Sequence, residues 1–140
     1  MLGSPLGMLQ TLADPEMATR ILIVDDDQDI RKLLGHRLKA DGFEPIFAGD
    51  AISAVNQARK EQPDLILLDL MLPAGDGYVV MERLKAMPAL EGVPIIVVSA
   101  RDPATERDRA WEAGVDAFFR KPFEYTELVS AVRKLLGRPA

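Results

Sequence analysis

The chain has no cysteine and only one histidine, His36, among its 140 residues. Without cysteine there is no disulfide framework and no thiolate chemistry, which fits a reducing compartment. A lone histidine leaves no zinc site built on several Cys or His ligands. It also leaves no Ser-His-Asp triad except through His36 itself. His36 stands in IRKLLGHRLKADG, a polar-rich helical pattern where it reads as a solvated residue. An excess of positive charge is also missing. Seventeen Lys and Arg face 22 Asp and Glu, for a formal net charge of -5. That argues against binding nucleic acid through overall charge. Hydrophobic residues reach 48%, yet no apolar run approaches the roughly 18 residues of a membrane span. The opening MLGSPLGMLQTLADPEMATR lacks a basic start and a compact apolar stretch, so it does not read as a signal peptide.

What is present is the length of one domain, enough to bury roughly two-thirds of the unfolded chain's surface without staples. Residues 1–18 read as an N-terminal extension, 19–137 as the folded domain and 138–140 as a C-terminal tail. Within the domain, short apolar runs (RILIVD, EPIFAG, DLILLDL, PIIVVSA, DAFFRKPF) alternate with longer stretches of helical period. The inward faces are expected at Ile30, Leu33, Leu34 and Leu38, then at Ile52, Ala54, Val55 and Ala58. The next sets are Val79, Val80, Leu84 and Met87, then Ala110 and Ala113, then Leu128, Val132, Leu135 and Leu136. Asp27, Asp50 and Asp76 suit helix N-caps or turns, and Gly42, Gly114 and Gly137 suit helix ends. Pro63 and Pro94 precede strands, where a missing amide is tolerated. Five strand–helix repeats with uniformly apolar strands predict an α/β fold: a parallel sheet covered on both faces, with right-handed crossovers.

In such a sheet, sites form at the carboxyl ends of the strands. The polar residues fall there. Asp25, Asp26 and Asp27 end the first strand, Asp69 the third and Ser99 the fourth, while Lys121 follows the fifth. Several carboxylates at one mouth suit a hard divalent cation, and magnesium, which keeps waters, fits two carboxylates and a carbonyl. A helix N-terminus would account for Asp27 alone, because Asp25 and Asp26 continue a buried strand. Asp69 is an acid set between LILL and LML, and a carboxylate there can act as a nucleophile toward phosphorus. Ser99 could donate to a phosphoryl oxygen and Lys121 could supply positive charge. Taken singly, Ser99 is a turn hydroxyl and Lys121 a surface cation. Their meeting at one sheet edge is what points to phosphoryl chemistry.

The motifs ILIVDDD, DLILLDLMLPAGDG, PIIVVSA and FFRKPF, in this order over residues 20–137, resemble the receiver domain of bacterial two-component response regulators, the family of the chemotaxis regulator. The resemblance, not the periodicity, supplies the flavodoxin-like strand order 2-1-3-4-5. It implies Asp69 as phosphoacceptor, Asp26 as a direct Mg2+ ligand and Asp25 as the acid that orients metal-bound water. Asp69 itself and the Met71 backbone carbonyl would complete the metal set. Ser99 matches the hydroxyl that bonds the phosphoryl group, Ala100 the small residue that leaves room for it, and Lys121 its ion-pair partner. The Lys121–Pro122 bond would be cis, making Pro122 a cis-proline. Phe118 matches the switch aromatic that turns inward when Ser99 moves, without the hydroxyl of the commoner tyrosine. The loop Pro73-Ala74-Gly75-Asp76-Gly77 departs from the usual Pro-Gly-apolar-Asp-Gly. Met71 and Arg101 occupy positions that tune phosphoryl lifetime in the family.

The implied role is a switch rather than an enzyme with its own substrate. A sensor histidine kinase or histidine phosphotransfer protein would phosphorylate Asp69, with only self-catalysed transfer and autodephosphorylation. The fourth helix, fifth strand and fifth helix would then control an output partner or domain, and that face admits a phosphorylation-dependent homodimer. Trp111, one position after Ala110, suits a partner contact there. Asp116 and Arg133 fit the charged set of winged-helix DNA-binding regulators, but Ala117 stands where a second acid is common, which weighs against that class. No direct nucleic-acid or membrane binding is expected, and the cytoplasm is the expected location. The chain ends soon after the fifth helix, which suits a stand-alone domain or a piece cut at a linker. The competing reading is a receiver-like binding module that is not phosphorylated. A haloacid-dehalogenase-type phosphatase fits poorly, since Met71 stands where its second Asp would be.

Overall fold

The computed structural model describes residues 18–72, 77–100 and 102–137. Residues 1–17, the loop at 73–76 with Asp76, Arg101 and the 138–140 tail lie outside the described residues. The described elements run in the order β1 Arg20–Val24, α1 Gln28–Ala40, β2 Glu44–Ala48, α2 Ala51–Glu61, β3 Leu65–Leu68, α3 Gly77–Lys85, β4 Ile95–Ser99, α4 Pro103–Glu112, β5 Ala117–Arg120 and α5 Tyr125–Leu135. A 3-10 turn over Pro88–Leu90, not anticipated from the sequence, joins α3 to β4.

The five strands form one parallel sheet in the order β2-β1-β3-β4-β5. Successive side chains of a strand point to opposite faces, so an unbroken apolar run feeds two cores at once. Leu22, Val24, Ile66, Leu68, Ile95 and Val97 join one core, which Ala54 and Ala58 of α2, Val80, Met81 and Leu84 of α3 and Ala110 of α4 cover. Ile21, Ile23, Leu65, Leu67, Ile96 and Val98 join the other, covered by Leu34 and Leu38 of α1 and by Leu128, Val129 and Val132 of α5. Pro45 lies in β2, an edge strand, where its missing amide leaves no gap in the sheet.

Local chemistry sets the ends. Asp27 caps α1 by accepting from the amides of Asp29 and Ile30. Asp50 and Ser53 form a reciprocal capping box at α2. Gly114 and Gly137 end helices with positive φ, at 97° and 75°. Three expected inward residues face solvent instead: Leu33, Ile52 and Val79 are 59%, 73% and 44% exposed. The inward stripe of α1 is Leu34 and Leu38, one turn apart, and Leu33 sits about 100° round the helix from Leu34. Ile52 lies about 200° from Ala54, on the far side of α2. In α3 the inward set includes Tyr78, which the apolar pattern passed over.

Candidate functional site

Because every strand runs the same way, β1, β3, β4 and β5 deliver their last residues to one edge of the sheet. The amide of Asp25 donates to Ala48 O at 3.1 Å and that of Asp69 to Val24 O at 2.9 Å, so both acids extend the strand ladder by one step. Both are buried, and Asp26 is exposed. The carboxylates of Asp25, Asp26 and Asp69 approach so closely that one oxygen of each lies within 4.8 Å of the others. Asp27 points away into the α1 cap, which separates it from the other three acids.

Lys121 enters from the loop after β5, which is tied to β4 by a bond from its amide to Ser99 O at 2.8 Å. Its Nζ lies 2.7 Å from Asp25 Oδ2 and 3.1 Å from Asp69 Oδ2. One ammonium thus bridges two buried carboxylates. The remaining oxygens are also fixed, Asp25 Oδ1 by the Asp27 amide at 3.0 Å and Asp69 Oδ1 by the Met71 amide at 2.9 Å. Burial pushes the Asp25 carboxyl above its usual value; the Lys121 and Asp27 hydrogen bonds oppose the shift and the Asp69 charge adds to it. Burial pulls the Lys121 ammonium down, but its bond to Asp25 and the charges of both acids outweigh that and hold it above the ordinary lysine value. Three carboxylates against one ammonium leave a negative excess, and the donor set is all hard oxygen, as magnesium prefers. The residues present fit such an ion.

The other expected residues flank this mouth. Ser99 is fully buried at the end of β4, and Ala100 follows it, exposed. The Met71 side chain is 49% exposed beside Asp69. The Lys121–Pro122 bond is cis. Phe118 pairs in register with Val97 and packs, partly buried, against the α2–α3–α4 core. Trp111 is 50% exposed in the last turn of α4, which runs away from the carboxyl edge. It is therefore not part of the aspartate mouth.

Sequence reasoning placed Gly77 only as part of a motif loop, and it missed Arg31. Gly77 starts α3 so close to the chain after Asp69 that a Cβ would stand 2.5 Å from Leu70 Cα. Arg31 donates from Nη1 to Asp25 O at 2.5 Å. A signal for Arg31 exists: a cation in the first turn of a helix runs against the macrodipole and needs a reason.

Comparison with known proteins bears on this geometry. The profile described as the response regulator receiver domain matches residues 21–133. The phosphate regulon transcriptional regulatory protein PhoB of Escherichia coli K12 is 40% identical over 122 residues, 87% of this chain and 53% of PhoB. The response regulator MprA of Mycobacterium tuberculosis is 37% identical over 87% of this chain and 52% of MprA. The chain spans about half the length of these curated relatives. Among solved structures, a putative response regulator from Chloroflexus aurantiacus superposes with a TM-score of 0.80 at 33% identity, covering 86% of this chain and 99% of that one. The receiver domain of the sensor histidine kinase PA1611 from Pseudomonas aeruginosa, which has magnesium coordinated in its active site cleft, gives 0.78 at 29% identity, covering 86% and 98%. With its sheet order, its acidic mouth and a profile match over nearly all of the folded region, the chain belongs to the response regulator receiver domain family.

Proposed function

We propose that the domain is a switch operated by phosphorylation of Asp69 in the presence of Mg2+. The observation that carries this reading is the Lys121 bridge: an ammonium held at Asp69 Oδ2, with Asp25 and Asp26 close by. The donor is a phosphohistidine on a sensor kinase or phosphotransfer protein. An Asp69 carboxylate oxygen forms a bond to phosphorus while the donor's P–N bond breaks. The imidazole nitrogen keeps the electron pair and takes a proton from solvent. Asp25, Asp26, Asp69 and the Met71 carbonyl would hold the Mg2+, which would neutralise charge on the phosphoryl oxygens. Lys121 keeps its proton and pairs with one of those oxygens. The Ser99 hydroxyl donates to another, and Ala100 leaves the space for it.

The phosphoryl group adds charge beside the end of β4, and Ser99 moves toward it. Phe118, on the neighbouring strand, turns further into the space on the α4 side. The readout is the face of α4, β5 and α5, offered to an output domain or to a second copy, with Trp111 as an exposed anchor. The likeness to transcriptional regulatory proteins favours an output in transcription over the contrary hint from Ala117. The cytoplasm, where kinases of this kind transfer phosphate, is the compartment that suits this chemistry.

Beryllofluoride, a phosphoryl mimic, tests the reading. With Mg2+ it should raise the thermal midpoint by several degrees, and EDTA or Asp69→Asn should remove the rise. A folded wild type that shows no rise overturns the phosphoacceptor reading in favour of a binding module.

A further inference from the structure

Arg31 has no role in the phosphoacceptor reading. It stands in the first turn of α1, where the macrodipole disfavours a cation. Its guanidinium turns back over the sheet edge, and Nη1 donates to the Asp25 carbonyl oxygen at 2.5 Å. Gly49, after β2, lies so near that a Cβ would be 3.0 Å from the same nitrogen. Arg31 is therefore seated between the ends of β1 and β2. The Asp25 carbonyl belongs to the peptide that joins Asp25 to Asp26. The other polar atoms of Asp25 are already held by Ala48, Asp27 and Lys121. The exposed Asp26 follows directly on that peptide.

We infer that Arg31 is a positioning residue for the cation site: by fixing the Asp25–Asp26 peptide it aims the Asp26 carboxylate at the point where Asp25 and Asp69 converge. The inference rests on the magnesium-dependent reading above. Coulomb's law makes it sharp. Removing a cation beside three carboxylates would by itself tighten a dication. A loss of affinity can come only through geometry. Groups that orient a metal's ligands typically change affinity by about 10- to 100-fold when removed. Here one carbonyl bond is involved, so the lower end applies.

The test is calorimetric titration of Mg2+ into metal-free wild type, Arg31→Ala, Arg31→Lys and Gly49→Ala, with the thermal midpoint of each measured without metal. Arg31→Ala should bind Mg2+ about ten-fold more weakly, and Arg31→Lys should recover most of the loss. Gly49→Ala keeps the charge and makes the guanidinium give by a few tenths of an ångström, and should weaken Mg2+ by no more than a few-fold. Equal or tighter binding by folded Arg31→Ala overturns the inference, as does a fall in its midpoint with unchanged affinity. If Arg31→Ala does not fold, Arg31→Met, which keeps the stem and loses the donor, is titrated in its place: weaker binding supports the inference, and equal or tighter binding overturns it. A wild type that binds no Mg2+ overturns instead the reading on which the inference stands.

Discussion

Lys121 does two opposed things at the carboxylate mouth. It pairs with Asp25 and Asp69, and for that reason it would compete with a dication for the same oxygens. Lys121→Met should lower metal-free stability by about 2 kcal/mol or more at neutral pH, because buried carboxylates lose their partner. It should also tighten Mg2+ by about three-fold or more, while slowing adduct formation at Asp69. Urea unfolding and Mg2+ calorimetry read the two effects separately. Asp25 makes a prediction in pH. Its raised value means the native state keeps a proton that the unfolded chain has released. Asp25 thus contributes stability below its ordinary value of 3.8, and this is lost as pH rises through the raised value. In metal-free protein, Asp25→Asn should therefore gain on wild type as pH rises from 3.8 through the raised value, as urea titrations would show. A difference that stays flat across that range contradicts the assignment. The acids themselves were legible in the sequence because each ends an apolar run. The Lys121 bridge to Asp25 spans 96 positions and the Arg31 bond ends on a backbone carbonyl, and neither leaves a local pattern.

The elements were legible wherever period and punctuation agreed. Each strand was built on a short apolar run, and Asp27, Asp50 and Gly114 marked helix ends by their own chemistry. Which side of a helix faces the sheet was less so. Leu33, Ile52 and Val79 are as apolar as their buried neighbours, but how each helix lies across a twisted sheet decides which stripe is covered, and that depends on distant residues. Ile52→Ser should therefore change stability by less than about 0.5 kcal/mol, as suits an exposed position. Gly77→Ala should cost about 2–3 kcal/mol, since its Cβ would press on the Leu70 backbone rather than on a yielding side chain. Tyr78 shows why a buried polar group was missed: its hydroxyl donates to Glu106 at 2.9 Å, across to α4. Tyr78→Phe should cost about 1 kcal/mol and loosen α4 against α3, measured by urea unfolding and amide exchange in α4.

At the scale of the molecule, two cores share one sheet, and the site lies at the rim where both end. Asp25 and Asp69 are each the next residue after a strand that feeds both cores. Their placement is therefore as rigid as the sheet, which suits a chemistry that needs position and charge compensation more than a reactive group. Asp69 as phosphoacceptor is the central claim. Intact mass after incubation with acetyl phosphate and Mg2+ tests it most directly, on wild type and Asp69→Asn, with and without EDTA. A single phosphoryl adduct on wild type, absent with EDTA and absent in Asp69→Asn, is the predicted result. An adduct of equal size on Asp69→Asn, or one that forms equally well in EDTA, would contradict it.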